Sequence, residues 1–159
     1  MDSFTFFHTT LSLIWLVAGF PVVAGLLHSR VPKAWTVIFL VTGVLTCVTG
    51  YGFKTSMILP SHVVGALSLV VLALAIFGLY VFHLAGAWRW IYAVSMVIAF
   101  WFNSFVAVVQ AFMKIPVVNA LAPTQSEPPF AVAQIAVLLI IVYLIYASVR
   151  RFHPGTSAH

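Results

Sequence analysis

The chain has 159 residues, of which 64% are hydrophobic and 6% charged, with a formal net charge of +5. Soluble domains carry about 25% charged residues, so this composition excludes a water-covered globular domain and implies one all-α transmembrane domain over residues 1–159. The seven Lys and Arg stand singly or in pairs at the ends of apolar runs; a nucleic-acid surface would gather them on one face, so the lipid bilayer is the expected partner and nucleic acid is not.

Hydropathy and breakers predict an integral membrane bundle of five helices, at about 5–29, 34–53, 61–84, 88–112 and 129–150. The start carries Asp2 and no Lys or Arg before Thr10, unlike a cleavable signal peptide, so the first span is expected to stay. Pro21 follows Gly19 and Phe20 in mid-run; it removes the bond to the Val17 carbonyl and predicts a kink, either a packing bend or a cavity wall. Ser29-Arg30-Val31-Pro32-Lys33 breaks the first run from the second. The second run holds Cys47, the only cysteine, so an intrachain disulfide and CxxC metal chemistry are excluded.

Thr49-Gly50-Tyr51-Gly52 closes the second run and echoes the potassium filter Thr-Val-Gly-Tyr-Gly. A filter needs a short pore helix before it; a glycine helix end with an interfacial tyrosine explains the tetrad better. Pro60-Ser61 opens the third run, with Ser61 as the expected N-cap. Gly86, Trp88, Arg89, Trp90 and Tyr92 form an interfacial belt between the third and fourth runs. The last connection, Lys114 to Pro128, is the longest and holds Pro116, Pro123 and Pro128.

Alternating sides give one face Arg30, Lys33, Arg89, Arg150 and Arg151, and the other Lys54 and Lys114. The positive-inside rule then predicts an outer amino terminus and a cytoplasmic carboxyl terminus, in a bacterial inner membrane.

Histidines bracket two runs: His8 and His28 the first, His62 and His83 the third. Ionisable groups at membrane depth are costly and mark candidate sites, and paired histidines on two spans are the simplest protein ligand set for haem iron. In this topology His8 and His62 lie outside, and His28 and His83 inside. The 21-residue separation of His62 and His83 puts them within roughly 60° of one helix face, shared with Ala66, Leu69, Ala73, Ile76 and Tyr80. His8 and His28 point to nearly opposite sides, which favours His62 as the better-supported ligand. The alternative is that all four are interfacial residues with one wet side.

On the fourth run Asn103, Gln110 and Lys114 fall at i, i+7 and i+11, one stripe descending to the outer face. With Gln134 and His62 they predict an outward-open polar pocket, with Lys114 and Glu127 paired at its mouth. The same stripe would equally serve as interhelical glue. Met57 and Met113 near His8 and His62 raise copper as a further metal candidate. Asp2 and Glu127 are the only acids, which excludes paired-carboxylate hydrolysis.

Phe82-His83-Leu84-Ala85-Gly86-Ala87-Trp88-Arg89-Trp90-Ile91-Tyr92, Leu59-Pro60-Ser61-His62 and Leu121-Ala122-Pro123-Thr124-Gln125-Ser126-Glu127-Pro128-Pro129-Phe130 resemble segments of small, uncharacterised polytopic bacterial membrane proteins. That resemblance covers most of the chain, implies a multi-pass membrane fold and brings no activity with it. A histidine at a span end followed by Gly, Arg and Tyr is more distantly similar to membrane proteins of the b-type cytochrome kind, which implies haem b. The 20-residue spacing of His8 and His28 departs from the shorter spacing of respiratory cytochrome b proteins.

The leading expectation is a multi-pass inner-membrane protein whose outward pocket holds b-type haem or quinone near His62 in a redox role. The alternatives are a small permease or channel using the fourth-helix stripe, and a non-catalytic accessory subunit of a membrane complex. Both a homo-oligomer and a partner in such a complex fit the composition.

Overall fold

The structure is a computed structural model and describes residues 3–53 and 60–155, the backbone alone at 60 and 61. Helix α1 spans Ser3–Leu27, α2 Lys33–Gly50, α3 Pro60–Ile76, α4 Trp88–Lys114, α5 Pro116–Asn119 and α6 Pro128–Arg151. A π-helical turn, Phe77–Val81, continues α3. Five helices are long and apolar enough to cross a membrane: α1, α2, α3 with its π turn, α4 and α6. Among the described residues there is no strand.

Helix ends differ from the sequence expectation for identifiable reasons. α1 runs unbroken through Pro21 and stops two residues early. There Ser29 turns left-handed (φ 59°), and the Arg30 and Ser29 N–H groups bond the carbonyls of Gly25 (2.8 Å) and Leu26 (3.2 Å), a Schellman closure. α3 is already helical at Pro60, so Ser61 lies inside the helix and is not the N-cap. At the far end, Phe82 N–H bonds Phe77 O and Leu84 N–H bonds Gly78 O. These long closures underwind and widen the end of the helix, and His83 and Leu84 leave it at positive φ (48° and 58°). His83 is therefore in the connection and not on a helix face shared with His62.

α1 packs on α2, α2 on α3, α3 on α4 and α4 back on α1, closing a ring of four; α6 lies outside it, mainly against α4. The half of the ring nearest the α1–α2 connection is filled by Leu26, Phe39, Leu72, Tyr92 and Met96, all fully buried. Large apolar side chains also cover the outside: Val17, Val70, Ile140 and Leu139 are more than half exposed. Hydrocarbon accommodates such a surface and water does not.

The chain after α6 ties that filled end together. Phe152 is wholly buried and its ring meets Tyr92 at 5.6 Å. Its carbonyl accepts a hydrogen bond from the Arg89 guanidinium, and His153 N–H donates to Ser29 Oγ (2.6 Å). The α1–α2 connection, the start of α4 and the end of α6 thus share one end of the bundle, which carries Arg30, Lys33, Arg89, Arg150 and Arg151. Lys114 closes α4 at the opposite end; Asp2, Lys54 and Met57 lie outside the described residues.

The α1–α4 approach depends on Gly19. A Cβ there would stand 2.1 Å from Phe100 Cδ2, and the Phe100 ring is also fixed edge-on against Phe20 (5.2 Å). Gly19→Ala is therefore expected to destabilise the fold by about 1–3 kcal/mol through overpacking. Its thermal midpoint in detergent should fall below that of the wild type; an equal midpoint would show that Phe100 has somewhere else to go.

Candidate functional site

Where α1 and α3 begin and α2 and α4 end, the four-helix ring opens into a cavity of about 610 Å³. That is within the ~300–1,000 Å³ of small-molecule sites. Its walls mix Trp15, Tyr51, Phe53 and Phe102 with His8, Ser12, His62, Asn103, Gln110 and Lys114. The sequence stripe on α4 does line one space, with Asn103 buried and deep and Gln110 and Lys114 exposed at the rim.

Asn103 is 3% exposed and is held by two bonds from α1. Its Nδ2 donates to the Ser12 carbonyl (2.9 Å), and its Oδ1 accepts from Ser12 Oγ (3.0 Å). A buried amide without such partners would carry the full desolvation cost. The carboxamide has two N–H groups and two lone pairs, so one of each remains beyond the Ser12 pair on a residue that lines the cavity.

His8 is oriented through Thr49 on α2, its Nδ1 lying 2.8 Å from Thr49 Oγ1. Thr49 Oγ1 also lies 2.7 Å from the Leu45 carbonyl and 3.1 Å from the Thr46 carbonyl; with its one proton given to either carbonyl, this oxygen accepts from His8. In that arrangement Nδ1 carries the proton, and in the neutral ring Nε2 keeps a lone pair. The Phe53 ring stands edge-on to the imidazole (5.0 Å, 89°). On α3, His62 is stacked by Tyr51 (5.4 Å, 13°), whose hydroxyl donates to the His62 carbonyl (2.8 Å). The tyrosine of the filter-like tetrad thus braces a histidine, and the tetrad backbone is tied into a turn by Tyr51 N–H to Val48 O and Gly52 N–H to Thr49 O.

In the cavity wall the Trp15 indole lies against Gly43, where a Cβ would come within 2.9 Å of Nε1. The buried Trp15 Nε1 and Thr46 Oγ1 have no hydrogen-bond partner among the described residues. On α3 the cavity side is Val64, Gly65 and Ser68. The face predicted from the His62–His83 phase, Ala66 through Tyr80, does not line it.

Several expected site residues lie elsewhere. His28 and His83 are exposed at the opposite, cationic end, and His28 Nδ1 bonds the Ala24 carbonyl (2.8 Å). Gln134 does not reach the cavity; its amide donates to the Phe105 carbonyl (3.2 Å) across the α4–α6 seam. Met113 is exposed and does not line the cavity. Glu127 does not pair with Lys114. Its carboxylate closes the turn before α6, accepting from Thr124 N–H (3.2 Å), Thr124 Oγ (2.8 Å) and Ser126 N–H (3.1 Å). Among the described residues no three His, Cys, Asp or Glu side chains come together.

Composition also hid functional neighbours that helical spacing could have shown. Thr5, His8, Thr9 and Ser12 all line the cavity, and on α1 they recur at three- and four-residue steps, a polar stripe like that of α4. No sequence signal marks Thr49 and Tyr51 as partners of His8 and His62, because both contacts cross between helices. No protein-family model, curated protein or solved structure matches this chain.

Two measurements check these assignments. Desolvation, the largest single influence, raises the Glu127 carboxyl, but the hydrogen bonds from Thr124, Ser126 and the local backbone together outweigh it and hold the group below its ordinary value. A depressed folded value stabilises the turn above the ordinary carboxylate range, ~4.3, and that stabilisation is lost as pH falls through the lower folded value. The stability difference between wild type and Glu127→Gln should therefore be largest at neutral pH and shrink on acidification; a difference that grows in acid contradicts it. For His8, nitrogen NMR should show the Nδ1–H tautomer, and Thr49→Val should remove that preference.

Proposed function

We propose that this is a bacterial inner-membrane protein, amino terminus outside and carboxyl terminus in the cytoplasm, whose outward-facing cavity binds b-type haem between His8 and His62 for a redox role. The orientation rests on the segregation of Arg30, Lys33, Arg89, Arg150 and Arg151 to the end opposite Lys114. The ligand reading is carried by one observation: His8 and His62, from two different spans, line the same cavity. Thr49 fixes the His8 ring through Nδ1, the outer-shell arrangement that prepares Nε2 as an iron ligand. Haem needs only two protein nitrogens, because the macrocycle supplies the rest. The buried Leu72, Phe39 and Met96 beyond the floor favour binding over passage through the bundle.

Quinone is the second reading, supported by the Ser12–Asn103 pair and the aromatic walls, which suit a flat ring with carbonyl oxygens. Protein expressed with ample haem and purified in detergent should show a Soret band. His8→Ala and His62→Ala should each lower haem occupancy by about tenfold or more, and Thr49→Val by a comparable factor, whereas His28→Ala and His83→Ala should leave it intact. A wild type without a Soret band removes haem, and quinone in its organic extract would then favour the second reading.

A further inference from the structure

Lys114 lines the cavity mouth at the last turn of α4. Of the two carboxylic side chains in the chain, Asp2 and Glu127, Asp2 lies outside the described residues, and Glu127 does not line the cavity and is engaged by Thr124 and Ser126. The other titratable groups near the mouth are His8 on α1, Tyr51 after α2 and His62 on α3, which line the same cavity; none of these is a carboxylate. The wall therefore offers a cation with no counter-charge among the described residues, beside the Gln110 amide. Inward from it the same helix presents Ala107, Val106 and Phe102, and α1 presents Leu13 and Leu16. Lys114 and Asn103, 11 positions apart, are separated by roughly 16 Å along the α4 axis.

A cationic rim above a deep, mostly apolar slot matches an amphiphile with an anionic head. We propose that the cavity selects ligands bearing a carboxylate, held at Lys114 beside Gln110, with the apolar body directed inward toward Asn103. In a site partly removed from water one such charge-assisted contact is stronger than at an open surface. The inference rests on the reading of this cavity as a ligand site, and it favours a dicarboxylic macrocycle such as haem over a neutral quinone.

The test uses probes that need no iron ligation. Full-length protein in a neutral detergent is titrated with iron-free protoporphyrin IX and with its dimethyl ester, and with cis-parinaric acid and its methyl ester, following probe fluorescence. Wild type should prefer each acid over its ester by about tenfold. Lys114→Gln should remove the preference, Lys114→Arg should keep it, and Lys33→Gln at the opposite end should leave it unchanged. Lys114 is exposed, so a folding loss is not expected, and a thermal midpoint checks it. Displacement of the acid by added phosphatidylglycerol supports the anionic site and assigns its source to lipid. Equal binding of acid and ester, a preference that survives in Lys114→Gln, or failure of both acids to bind overturns the proposal. The outcomes separate from those of the haem reading. A Soret band with no acid preference leaves haem and removes the anion site; an acid preference without a Soret band does the reverse.

Discussion

The reciprocal bond between Ser12 and Asn103 sets the geometry on which the cavity depends. α4 meets α1 along a narrower seam than α1 shares with α2, and this polar pair pins that seam at membrane depth. An amide there must find partners or carry a large desolvation cost, and Ser12 supplies a donor and an acceptor at one point. Toward the open end the two helices then carry His8 on one side and Gln110 and Lys114 on the other. Toward the filled end the Phe100 ring is seated on Gly19. One hydrogen-bonded pair therefore lies at the boundary between an open half and a packed half.

The two ends divide the work. The cationic end is closed by aromatic and aliphatic packing and by the tail, with Phe152 inserted beside Tyr92 and held by Arg89. The other end gives up packing density for an open space whose rims are braced by side chains from neighbouring helices: Thr49 for His8 and Tyr51 for His62. Bracing of this kind restricts rotamers in an otherwise loosely filled region, which is what a preformed site requires.

Much of the architecture was legible because lipid imposes a simple rule. Runs of about 20 apolar residues become helices when every backbone group must be satisfied internally, and five helices of that kind are present. The α4 stripe was legible for the same reason, since Asn103 and Gln110 at helical spacing need a polar side to face. Where the reading failed, local backbone closure or a nearer partner decided the outcome. The π turn and two positive φ values removed His83 from the face of His62. Thr124 and Ser126 engaged Glu127, and the Phe105 carbonyl engaged the Gln134 amide.

The amino-acid sequence by itself determined the helical class, the five helices long and apolar enough to cross a membrane, the placing of the cationic residues at the ends of apolar runs and the polar side of α4, because these follow from composition and periodicity along single segments. The tertiary structure alone decided which histidines share a space, which hydroxyl faces His8 Nδ1, and that Lys114 faces a cavity with no carboxylate lining it among the described residues. Those facts depend on distances between side chains on different helices, and periodicity along one helix cannot encode them.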